Sequence, residues 1–132
     1  MIQEHKEKLT TDICARFPYG VYVKMNDTDM RVIDIYYSRG DVFFNLVGEK
    51  TVVGVEVDRL RPYLRSLSTM TEEEKNEYLQ TFDGHEDEFG NKMVHMSSAS
   101  YAWLIKKHFD YQGLIPLGLA FEAYDWMYRD GQ

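Results

Sequence analysis

The stretch Val21-Tyr22-Val23-Lys24-Met25-Asn26-Asp27-Thr28-Asp29-Met30-Arg31-Val32-Ile33-Asp34-Ile35-Tyr36-Tyr37-Ser38-Arg39-Gly40-Asp41-Val42-Phe43-Phe44-Asn45-Leu46-Val47 decides the fold class. Val21, Val23 and Met25 alternate with Tyr22 and Lys24. Ile33, Ile35 and Tyr37 alternate with Val32, Asp34 and Tyr36, and 42–47 is a near-continuous apolar run. A fourth run follows, with Val53, Val55 and Val57 alternating with Val52, Gly54 and Glu56. Period-two alternation of β-branched and aromatic residues is the mark of half-buried strands. The breaks at 26–29, 38–41 and 48–50 are short and rich in Asn, Asp and Gly, so the strands pair as antiparallel hairpins.

Outward from this core, 4–14 reads as a short helix with Leu9, Ile13 and Ile2 on one stripe, ended by Phe17-Pro18-Tyr19-Gly20. On the other side, 58–65 reads as a single helical or 3₁₀ turn cut by Pro62. Short curled strands with such a turn near their end predict an SH3-like barrel, and an open curled sheet fits the same pattern. Thr71 and Glu74 form a capping box ahead of a helix whose stripe is Tyr78, Leu79 and Phe82. A polar loop spans 83–91, 93–96 suits a short strand, and Ser97 or Ser98 caps a helix to about His108 with Tyr101, Leu104 and Ile105 inward. The fold class is therefore α+β in one domain, 1–132. It divides into an N-terminal helix (1–16), a β-rich part (17–65) and a mainly helical part (66–132).

The 132 residues are 44% hydrophobic, enough for a packed core. No apolar run approaches the ~20 residues of a membrane span, and the opening residues carry no apolar signal core. The expectation is a cytoplasmic protein without a membrane partner. The net charge of −7 is local: 72–88 holds eight acids and one base, leaving 14 of each sign elsewhere. Charge so confined argues against mimicry of a nucleic acid, which would spread it over the surface.

Most catalytic constellations are missing from the sequence. His5, His85, His95 and His108 lack metal-ligand spacing to one another or to Cys14, the single cysteine, so no metal or cofactor is expected. Asp27 and Asp29 suit a turn better than a calcium loop. Cys14 reads as a small buried residue and Ser97, Ser98 and Ser100 as helix-capping groups. No phosphate-binding glycine loop and no nucleophile elbow is present. Two binding candidates remain. Arg59, Arg61 and Arg65 with Tyr63 form the only basic cluster, suited to phosphates and base stacking. The aromatic run Phe121, Tyr124, Trp126 and Tyr128 suits either a docking surface or closure of the core.

Two stretches carry a resemblance. The first is Leu60-Arg61-Pro62-Tyr63-Leu64-Arg65, followed by Ser66-Leu67-Ser68-Thr69-Met70-Thr71-Glu72-Glu73-Glu74. The second is Trp103-Leu104, then His108-Phe109-Asp110-Tyr111-Gln112-Gly113-Leu114-Ile115, then Gly118-Leu119-Ala120. Over about 17–123 the chain resembles a family of short uncharacterised proteins of gut Bacteroidales and their phages, prophages and mobile elements. It departs from that pattern at Gln112 for arginine, Lys107 for a frequent histidine and Phe121 for a frequent leucine. The resemblance implies an intracellular accessory protein of a mobile element or its host, and no mechanism. Three functions follow in order: a non-catalytic interaction protein with a protein partner or a second copy, a nucleic-acid-binding module using the arginines, and a small enzyme built on His95 or His108.

Overall fold

In the computed structural model, which describes residues 1–49 and 51–128, the chain is α+β. The N-terminal helix α1 spans Gln3–Arg16. Strands β1 (Tyr22–Met25), β2 (Thr28–Ser38), β3 (Asp41–Val47) and β4 (Val52–Glu56) run as an antiparallel meander. A 3₁₀ turn at Val57–Arg59 leads into β5 (Arg61–Leu64), which pairs antiparallel with β1. The helix α2 (Glu72–Leu79), a separate hairpin of β6 (Asp83–Glu86) and β7 (Lys92–His95), and α3 (Ser98–Lys106) follow. Finally β8 (Phe121–Glu122) pairs parallel with β5, giving the order β4-β3-β2-β1-β5-β8. Among the described residues β4 and β8 are free edges, so the sheet is open and does not close into a barrel. The expected helical third part is also corrected: over 66–128 only α2 and α3 are α-helical, and turns, the hairpin and β8 make up the rest.

Turn chemistry sets the meander. Asn26 and Asp27 both have positive φ (48° and 62°), as do Arg39 and Gly40 (54° and 84°). Two successive positive φ values give the two-residue turn whose twist matches antiparallel strands. The expected phase of β2 is corrected by a β-bulge. Val32 pairs with Leu46 and Asp34 with Asn45, leaving Ile33 as the extra residue. The bulge puts Met30, Val32 and Ile35 on one face and turns Ile33 outward, 49% exposed.

That inner face carries the core: Val23, Met30, Val32, Phe44, Leu46 and Val55 from the strands, covered by Leu9 and Ile13 of α1 and by Leu114, Leu119 and Ala120. On α1 the inward residues are Leu9, Asp12, Ile13 and Arg16, spaced to share one stripe. Cys14 lies off that stripe and is exposed, contrary to its expected burial. Ile2 is likewise exposed, as are Leu79 of α2 and Tyr101 of α3, which each sequence stripe places inward.

An ion pair is sealed under this cover. Arg16 Nε and Nη2 donate to the Asp12 carboxylate at 2.9 Å and 3.1 Å, and Nη2 also donates to the Phe109 carbonyl at 2.6 Å. Both side chains are essentially inaccessible. Burial raises the Asp12 carboxyl above its ordinary range, against the opposing pull of Arg16. Gln112 Nε2 adds a bond to Asp12 at 3.3 Å. Asp110 accepts from the Leu114 and Ile115 amides at 2.8 Å and 2.9 Å, fixing the turn at Gly113, whose φ is 72°. The 108–115 stretch is thus held by folding contacts to α1.

Candidate aromatic surface and adjoining cleft

The outer face of β1, β5 and β8 carries Tyr22, Lys24, Arg61, Tyr63 and Phe121. Over it folds the 121–128 segment. Tyr128 anchors it: its hydroxyl accepts from the Tyr22 amide at 2.9 Å and donates to the Tyr63 carbonyl at 2.8 Å. It therefore bridges β1 and β5 beyond their last paired residues, Val23 with Pro62. Burial raises the Tyr128 hydroxyl above the usual phenol range, so it stays protonated and able to donate. Met127 is buried beside it.

The other aromatics form a surface. Tyr63 is buried, and its hydroxyl donates to Asp29; burial first and then that carboxylate raise its pKa. Around Tyr63 lie Phe121 and Tyr124, with ring centroids 6.0 Å and 5.4 Å away. Tyr124 and Trp126 stack at 6.2 Å, and Trp126 meets Tyr22 edge-on at 5.4 Å. Phe121, Tyr124 and Trp126 remain 45%, 48% and 46% exposed. The aromatic run is therefore divided between the interior and the surface. Tyr128 and Met127 close the fold, and the other three rings face outward.

The basic cluster is divided by the same packing. Arg65 Nη1 and Nη2 each reach the Glu74 carboxylate at 2.7 Å, and the guanidinium lies 4.2 Å from the Phe109 ring centroid. The hydrogen bonds from Arg65 hold the Glu74 carboxyl below the usual range. Arg61 Nη1 donates to the Leu60 carbonyl at 2.7 Å, and Arg59 is exposed on the 3₁₀ turn. Tyr63 is covered and offers no face for a base to stack on.

Histidine chemistry is likewise confined. His108 is 3% exposed, has φ 64° and stacks on Tyr128 at 3.8 Å. Burial, then the nearby Arg16 charge, push its pKa down to about 3. It is neutral near pH 7 and shut away from solvent, a poor proton shuttle. His85 and His95 stack at 4.9 Å on the hairpin. Among the described residues no three His, Cys, Asp or Glu side chains are placed to hold a metal, and no helix is long and apolar enough to cross a membrane.

Between α2 and the 122–128 segment lies a cleft of about 570 Å³. Arg65 and Glu74 lie in its wall, with Glu73 and Glu77 of α2, Glu122 of β8, and Tyr124, Asp125 and Tyr128. Sequence reading missed this site because its acids lie almost fifty residues apart and meet only when β8 pairs with β5. Compared with known proteins, the chain matches no family model, no curated protein and no solved structure.

Proposed function

We propose that this protein is a non-catalytic interaction protein that docks a protein partner on the surface formed by Phe121, Tyr124 and Trp126. The observation that carries the reading is the exposure of these three rings, each close to half, on a rigid base of Tyr22, Tyr63 and Tyr128. Aromatic anchors held in place by packing lose little entropy on binding and are the usual centres of binding energy. The strand meander, its 3₁₀ turn and the return of β5 beside β1 support an SH3-like arrangement, left open at β4 and β8. The family resemblance supports a cytoplasmic accessory role tied to a phage or other mobile element. The nucleic-acid reading has less support, because Arg65 is committed to Glu74 and Tyr63 is covered.

The test is tagged capture from a gut Bacteroidales lysate with and without nuclease treatment, using the native chain and Tyr124→Ala/Trp126→Ala. A stoichiometric protein held by the native chain and lost by the variant is the expected result. If the same variant shifts a native dimer to monomer, the partner is a second copy. Recovery of nucleic acid alone, lost at high salt, overturns the reading.

A further inference from the structure

The aromatic surface and the cleft share one wall, the ring of Tyr124. The cleft volume, about 570 Å³, falls within the range of about 300–1,000 Å³ typical of sites that enclose a ligand. Its charge is unbalanced. The side chains of Glu73, Glu77 and Glu122 have neither an ion pair nor a hydrogen bond among the described residues. Among the described residues Arg65 is the one cation lining it, and it is already held at two points by Glu74. Two other rings of the aromatic face engage cations of the chain itself: Lys24 Nζ lies 5.1 Å from the Phe121 centroid and the Arg31 guanidinium 5.4 Å from that of Tyr22. The Tyr124 ring has no such cation among the described residues.

Building on the docking surface above, we propose that this cleft takes a lysine-bearing or arginine-bearing segment of the protein partner. One cationic side chain lies along Tyr124 and carries its charge to Glu73, Glu77 and Glu122. The aliphatic stem of such a side chain packs on an aromatic face while its head group stays polar. The ring quadrupole and the carboxylates both favour a positive charge there. The same carboxylates repel an anionic partner, so nucleic acid is disfavoured on this side of the surface.

The test titrates hexalysine into the full chain, followed by calorimetry and by tryptophan fluorescence, since Trp126 lies against Tyr124. Three proteins are compared: the native chain, Glu73→Gln/Glu77→Gln/Glu122→Gln, and the charge-matched control Asp83→Asn/Glu86→Gln/Glu88→Gln on the hairpin. Removing the cleft acids is expected to weaken hexalysine about tenfold or more, and the control to change it less than about twofold. Spermine, a polycation without a peptide backbone, is expected to bind about tenfold more weakly than hexalysine. Should the triple cleft variant fail to fold, Glu77→Gln/Glu122→Gln carries the same comparison with a smaller loss. Equal losses in the cleft and hairpin variants would mean bulk attraction and overturn the proposal, as would spermine binding as tightly as the peptide. If hexalysine does not bind yet capture still depends on Tyr124 and Trp126, the cleft assignment falls and the docking surface stands. If capture is also indifferent to those rings, both fall.

Discussion

The sheet with its helical cover and the arm formed by α2 and the β6–β7 hairpin are both ordered, but by different means. In the sheet, side chains separated by most of the chain meet in dry surroundings: Leu9 of α1 shares a core with Leu114, and Arg16 reaches the Phe109 carbonyl. The arm relies on neighbours in sequence. Thr71 and Glu74 cap α2 reciprocally, and Asp87 accepts from the Phe89 and Asn91 amides to close the hairpin turn. All eight strand residues of the hairpin are exposed, and it pairs only with itself. The contrast explains where the net charge sits. Acids are costly in a dry core but favourable at a helix start and harmless in a solvated hairpin, so 72–88 can carry all of it. A stack joins the regions: Tyr78 on Trp103 at 5.4 Å, Trp103 on Phe109 at 5.7 Å, and Arg65 from Phe109 across to Glu74. Beside it the Thr81 carbonyl accepts from Ser97 Oγ at 2.6 Å, while Thr81 Oγ1 donates to Ser100 Oγ at 2.9 Å.

Substitutions that strike one region and spare the other sharpen this contrast. The largest effect is expected from Asp12→Ala, which leaves the buried Arg16 guanidinium without its carboxylate. It should cost about 3–5 kcal/mol in denaturant unfolding. Asp12→Ala combined with Arg16→Met should recover most of that loss, and a double variant as unstable as the single one would refute the account. Trp103→Ala comes next. The ring is only partly buried, so a loss of about 2 kcal/mol is expected, below the range for a fully buried tryptophan. It should release α2 along with it, read as faster amide exchange at 75–79 than in β3; equal exchange in both would break the picture of two regions.

Acidification should loosen the arm through Glu74. Its folded pKa lies below the unfolded one, near 4.3, so its contribution is present above that pH and fades as pH falls through the folded value. The pair is partly exposed, and about 1 kcal/mol is at stake. Glu74→Gln should flatten the acid limb of the stability curve, and a limb of unchanged steepness would remove Glu74 from the account. The smallest effect is expected from Phe89→Ser at the hairpin tip, 80% exposed. Its melt should stay within about 0.5 kcal/mol of the native chain, and a larger loss would show that the tip packs on the body.

Legibility in the sequence follows the same division. The meander, its turns at 26–27 and 39–40 and the Thr71 capping box are written in residues a few positions apart, and they read correctly, while the break read at 48–50 reaches beyond the described residues. The helix stripes read only in part, because Leu79 and Tyr101 are apolar at plausible positions yet no neighbour arrives to cover them. The bulge at Ile33 was hidden because Val32, Ile33 and Ile35 satisfy either phase of alternation. The hairpin was half legible: 93–96 reads as a strand, but its partner is Asp83-Gly84-His85-Glu86, with no strand-forming side chains. Asp12 and Arg16 do stand four apart on α1, yet the same spacing serves ordinary surface pairs. Only the arrival of Phe109 and Gln112 buries them. The cleft was illegible for the same reason, since β8 is two residues long and finds β5 from a distance.

The Tyr128 bridge has a consequence for folding in time. The seam between β1 and β5 is completed by a hydroxyl 106 residues after the amide it accepts from. Contacts of such long range slow folding, because chain entropy is lost before the contact forms. The seam first exists when Tyr63 is made, 65 residues before Tyr128, so at a synthesis rate of about 5–20 residues per second it waits roughly 3–13 s for its last partner. Until then the outer rings of Tyr22 and Tyr63 stay bare on a growing chain, a window in which a chaperone or a premature neighbour would find them first.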